Sequence, residues 1–113
     1  MVCIKRAYEA ASASDGCRVL VDRLWPRGVS KKRADLTEWL KEVAPSPELR
    51  TWWKHDPNRM EEFTVRYRAE LDANNEAVAQ LRALVAAGVT TLVYGASDPH
   101  VNHARVLAEY LQE

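Results

Sequence analysis

A chain of 113 residues is long enough for one hydrophobic core and too short for two, so residues 1–113 are expected to form a single domain. Sixteen basic and sixteen acidic side chains cancel, a balance that argues against general affinity for nucleic acid. No apolar run approaches the roughly 20 residues of a membrane span, and the amino terminus lacks the apolar segment of a signal peptide. Cys3 and Cys17 stand alone, without CxxC spacing or the multiple pairs of a secreted scaffold, so both are expected to be buried, reduced thiols of a cytoplasmic protein.

Val2 to Tyr8 mixes β-branched Val2 and Ile4 with basic residues, then gives way to the turn-rich EAASASDG: a strand followed by a loop. Cys17 to Leu24 is apolar up to Asp22 and reads as a second strand, covered on both faces and stopped by Pro26 and Gly28. From there to Gly88 the pattern is helical. Helices are predicted over Ala34–Val43, Pro47–Lys54, Pro57–Asp72 and Asn75–Ala87. Ser46-Pro47 and Asp56-Pro57 mark two of the starts and Gly88 the last stop. Val89 to Tyr94 is the clearest strand and is expected at the centre of the sheet. Asp98-Pro99 should then open a final helix whose inner face carries Val101, Ala104, Leu107, Ala108 and Leu111. The sum is a small layered α/β fold of about three mostly parallel strands and about five helices, with the second and third strands parallel across a long helical crossover. The short connector leaves the first strand's direction open, and the free sheet edges leave the oligomeric state open.

The segments DRLWPRGVSK (Asp22 to Lys31), EWLKEVAPSPELR (Glu38 to Arg50), FTVRYRAEL (Phe63 to Leu71) and LVYGASDPHVNHARVL (Leu92 to Leu107) resemble the short, YeaO-like branch of domain-of-unknown-function family 488. The resemblance covers nearly the whole chain and implies a small bacterial or archaeal α/β protein with a parallel first strand; it implies no activity. In the longer branch the carboxyl-terminal motif is similar to Cys-Ala-Glu…Asp-Pro…Cys-His-Arg. The positions here are Gly95, Ala96, Ser97, Asp98, Pro99, Asn102, His103 and Ala104, so no thiol or metal chemistry carries over. The chain also has neither a glycine-rich loop after a strand nor a helix-turn-helix with a basic recognition helix.

If the second and third strands are parallel, their carboxyl ends share one edge of the sheet, where open α/β sheets bind ligands. Two loops converge there. One, Arg23 to Arg33, gathers Arg23, Arg27, Lys31, Lys32 and Arg33 and holds no acid. The other, Gly95 to Pro99, leads toward a helix whose free N–H groups favour negative charge. Together they predict a pocket for a carboxylate or phosphate, since the guanidinium fork matches such oxyanions at two points. Arg23 and Arg27 are the expected ligand contacts, with Trp25 and Ser97 as walls; the competing role for the arginines is an internal brace, Arg23 to Asp98 or Arg27 to a helix carboxylate. His103, Asp22 and Asp98 are the candidates for catalytic proton transfer. A hydrogen bond to a neighbouring carbonyl competes for His103, and a helix cap for Asp98. No metal or cofactor is expected: His100 and His103 lack a third ligand at a sensible spacing. Three outcomes remain: a pocket for a small anion, with or without enzymatic turnover of it, a nucleic-acid- or protein-binding module using the Arg23–Arg33 loop, and arginines that only stitch the fold together.

Overall fold

The computed structural model describes every residue, Met1–Glu113. Its sheet is built from β1 (Val2–Arg6), β2 (Cys17–Leu20), β3 (Glu38–Trp39) and β4 (Thr90–Tyr94), all parallel, in the spatial order β1-β4-β2-β3. The helices are α1 (Lys31–Ala34), α2 (Pro47–Trp53), α3 (Met60–Ala73), α4 (Asn75–Ala87) and α5 (His103–Leu111). The α/β class, the five helices and the central place of β4, buried along its whole length, agree with the sequence reading. Because β4 runs between β1 and β2, Cys3 and Cys17 are not on neighbouring strands. Nor are both buried: Cys3 is exposed and Cys17 half-buried.

Alternation along the strands divides the core. Val19, Val21, Leu92 and Tyr94 join the large cluster, where Trp53, Phe63 and Tyr67 of α2 and α3 lie buried. Trp53 stacks on Phe63 at 3.7 Å, and the Tyr67 hydroxyl donates to the Val43 carbonyl at 2.5 Å. In the smaller cluster Leu20 and Val93 meet Ala7, Trp25, Leu36 and Trp39, so a loop covers that side. Arg18 of β2 is only 3% exposed and is held from two sides: its Nη1 donates to Asp15 Oδ2 of the connector between β1 and β2 at 2.6 Å, its Nη2 to the Ala34 carbonyl at the end of α1 at 2.8 Å. Lys5 approaches the same carboxylate at 3.0 Å. Burial pushes the Asp15 carboxyl up, but the Ser12 amide, Lys5 and Arg18 outweigh it and hold the group below its ordinary value.

Two predicted elements need correction. The helix expected over Ala34–Val43 is instead the end of α1, the short strand β3 and a 3-10 turn, Lys41–Val43. Leu36, Leu40 and Val43 mimic a helical stripe, but Asp35 turns left-handed at φ 46° and ends α1. Backbone hydrogen bonds from Thr37 to Arg18 and from Leu40 to Leu20 then capture the segment as a fourth strand, an override of local periodicity by a free sheet edge. The final helix begins not at Pro99 but at His103, capped by Asn102, whose Oδ1 accepts from the Arg105 amide at 2.9 Å. Asp98 does cap, but a turn: its Oδ1 accepts from the amides of His100 and Val101. Those two hydrogen bonds hold its carboxyl below the ordinary value.

Candidate functional site

Past the end of β2 the chain still follows the sheet for one residue, Val21 N–H donating to the Val93 carbonyl at 3.0 Å. Asp22 and Arg23 therefore sit at the carboxyl edge, beside Gly95 at the end of β4. Asp22 Oδ2 accepts from the Gly95 amide at 2.8 Å and ties the two strand ends together. A cavity of about 210 Å³ opens at this edge, in the region where parallel sheets take their ligands. Asp22, Arg23, Gly95 and His103 line it, and α2 with the residues beyond it closes the opposite side through Arg50, Trp53 and His55. Apolar Leu24, Ala44, Pro45 and Ala96 complete the wall.

The arginine is the unusual feature. Arg23 is half-buried, and its Nη2 donates to the Ala44 carbonyl at 3.3 Å, yet no carboxylate lies within 4.0 Å of it. The brace to Asp98 does not form. Its Nε is sealed from solvent without a hydrogen-bond partner, as are Asp22 Oδ1 and Trp53 Nε1, and all three residues line this one cavity. A sealed polar atom without a partner costs on the order of 1–3 kcal/mol, and Asp22 Oδ1 has only the His103 ring, 3.3 Å away, beside it. The backbone carries a cost as well: Lys54 and His55, consecutive and neither of them glycine, are both left-handed, at φ 51° and φ 55°. That bend brings His55 to the rim, stacked on Trp53 at 4.5 Å.

His103 is buried, with Nε2 3.0 Å from the Val21 carbonyl and 3.3 Å from Asp22 Oδ1. A carbonyl only accepts, so Nε2 carries the proton and Nδ1 is bare in the neutral ring. Burial holds the imidazole below its ordinary 6.5, against the opposing pull of the Asp22 carboxylate and the Val21 carbonyl. A base with a depressed folded-state pKa binds fewer protons folded than unfolded, so stability is expected to fall as pH drops through about 6.5, with a slope of up to about 1.4 kcal/mol per pH unit. Thermal melts from about pH 7.5 to pH 5.5 check this; His103→Gln should flatten the dependence, and an equally steep slope in the variant would assign it elsewhere.

The other predicted site residues lie outside the cavity. Trp25 meets Trp39 edge-on at 5.4 Å, donates from Nε1 to the Val29 carbonyl, and lines a shallow groove with Lys31 and Leu36. Arg27 is exposed and engages Tyr8 only through its backbone carbonyl. Ser97 and Asp98 are exposed on the turn before α5, so Asp22 and Asp98 do not line one site. The sequence reading missed Arg50 and His55, which come from α2 and its left-handed exit. The signal available to it was Ser46-Pro47, which places Arg50 in the first turns of a short helix.

The architecture and this edge define a class, a small parallel α/β domain with its polar cavity at the carboxyl ends of the strands. The chain belongs to the family described as "Inactive DUF488-N3 subclade", whose model matches residues 1–113. It is similar to the uncharacterised protein Rv3073c of Mycobacterium tuberculosis, 44% identical over 108 residues, which span 96% of this chain and 91% of the relative. It is also similar to the uncharacterised protein YeaO of Escherichia coli, 42% identical over 108 residues and covering 96% of this chain and 94% of the relative. No solved structure matches it. No helix is long and apolar enough to cross a membrane.

Proposed function

We propose that the cavity at the carboxyl edge binds a small anion, a carboxylate or a phosphate, and that the protein works in the bacterial cytoplasm as a binding module and not as a catalyst. The observation that carries this reading is Arg23: a half-buried guanidinium on a cavity wall with no carboxylate partner, facing the same space as Arg50. Guanidinium desolvated without a counter-charge is costly, and a bound oxyanion supplies that charge in two-point geometry. The size fits a metabolite of a few heavy atoms, below the roughly 300–1,000 Å³ of drug-sized pockets. Binding without turnover is supported by the family description, which calls the subclade inactive.

Calorimetric titration with phosphate, sulfate and small carboxylates, beside thermal melts, tests the reading. Arg23→Ala is expected to weaken anion binding by about tenfold to a hundredfold, the range of a charge-assisted hydrogen bond. Unchanged affinity in that variant would sink the assignment. A second reading, contact with nucleic acid or an acidic protein through the Arg23–Arg33 loop, is favoured by one observation: Arg27, Lys31 and Lys32 are exposed and make no ion pair. Nucleic-acid binding of that kind weakens steeply with salt and should respond to Arg27→Ala and Lys32→Ala while ignoring Arg23→Ala.

A further inference from the structure

An anion cavity built only to attract negative charge would have no use for Asp22. Its carboxylate lines the same wall as Arg23 and Arg50, yet forms an ion pair with neither. The group is held in place by other means. Oδ2 accepts from the Gly95 amide at 2.8 Å, and the ring of His103 backs Oδ1 at 3.3 Å. A Cβ on residue 95 would stand 2.9 Å from Oδ2, so glycine there keeps the room that the carboxylate occupies. The side chain is 20% exposed while Oδ1 is sealed, and Oδ2, with one hydrogen bond made, keeps capacity for a second.

A carboxylate accepts hydrogen bonds and cannot donate them. Opposite an anion that presents acceptors only, Asp22 meets like charge and gains nothing; opposite one that carries its own O–H or N–H, it gains a charge-assisted hydrogen bond. We propose that Asp22 is the specificity determinant of this cavity, which takes small oxyanions bearing a hydrogen-bond donor, such as a hydrogen phosphate or a 2-hydroxycarboxylate, and rejects those that present acceptors alone. This inference rests on the anion reading above and deepens it. Division of labour follows: Arg23 and Arg50 set the charge of the ligand, Asp22 its protonation or hydroxylation.

Two matched pairs of probes test it by calorimetric titration at neutral pH and constant ionic strength: inorganic phosphate against sulfate, and lactate against propionate. Within each pair the framework is shared and one member lacks the donor; sulfate also carries more negative charge than phosphate at this pH, a difference absent from the lactate and propionate pair, which are equal in charge. The wild type is expected to favour the donor-bearing member on the order of tenfold or more, the usual worth of a hydrogen bond to a charged group. Selectivity confined to one pair supports the inference and assigns the ligand class. Asp22→Asn keeps an oxygen for the Gly95 amide and removes the charge, so both ratios should collapse toward one, with sulfate gaining. If Asp22→Asn fails to fold, the wild-type ratios decide alone. Equal binding within both pairs overturns the selectivity and leaves the pocket standing, whereas no binding of any of the four probes overturns the pocket itself.

Discussion

Arg18→Ala is expected to lower the unfolding free energy by about 3–5 kcal/mol, the usual loss when one partner of a buried ion pair is removed. The guanidinium is 3% exposed and makes four hydrogen bonds: to Asp15 Oδ2, twice to the Ala34 carbonyl, and to the Asp35 carbonyl. Removing it leaves the Asp15 carboxylate, 7% exposed, with only Lys5 and the Ser12 amide as partners, and strips the carbonyls at the end of α1. Since domains of this size have only about 5–15 kcal/mol in total, the variant should unfold at a much lower urea concentration with an unchanged m value. The double variant Arg18→Met, Asp15→Leu separates charge from packing: it should recover part of the loss, because replacing both members of a buried pair by apolar groups removes the unpaired charge. A loss below about 1 kcal/mol in Arg18→Ala would mean that the pair is dispensable.

Gly16→Ala is expected to be as damaging, by a different route. Gly16 enters β2 at φ 64° and ψ −130°, a conformation close to one that only glycine populates. A Cβ there would lie 2.3 Å from the Val89 carbonyl oxygen. That oxygen cannot retreat, because it accepts from the Cys17 amide at 2.9 Å as the first rung between β2 and β4. The conformational cost of about 1–3 kcal/mol is thus joined by a backbone collision, and we expect a total above about 3 kcal/mol, or no soluble folded protein. Gly28→Ala is the matched control. Gly28 is also positive, at φ 79°, but has open space around it, so only the conformational cost of about 1–2 kcal/mol should appear. Equal melting temperatures for the two variants would remove the collision from the account.

The contrast between these glycines shows which information a sequence carries locally. Ser46-Pro47 and Gly88 marked helix ends correctly because a cap is settled within a few residues, although Gly88 is extended at φ 164° and not the left-handed cap that glycine favours. β3 was illegible because two residues, Glu38 and Trp39, become a strand only through the free edge that β2 offers them. The same division runs through the site. Asp22, Arg23 and His103 lie beside strand ends, and parallel pairing of β2 with β4 was enough to bring them together. Trp25, Arg27 and Ser97 share those loops, yet their positions depend on how each loop folds back: Trp25 turns onto Trp39, and the turn capped by Asp98 leaves Ser97 outside. Arg50 and His55 arrive from more than one element away, carried by the exit of α2, and no local pattern announces a contact of that kind.

The sheet order also sets a timetable. β1 is made well before its sheet partner β4, since every residue between Arg6 and Thr90 is synthesised in the interval. Through that interval the strand has no sheet partner, with Cys3 near its start and both its backbone edges free. Closure of the fold is therefore a late, long-range event, of the sort that slows folding and exposes strand edges to neighbours. Residues 2–6 gain their backbone pairing only once the strand at the centre of the sheet is complete.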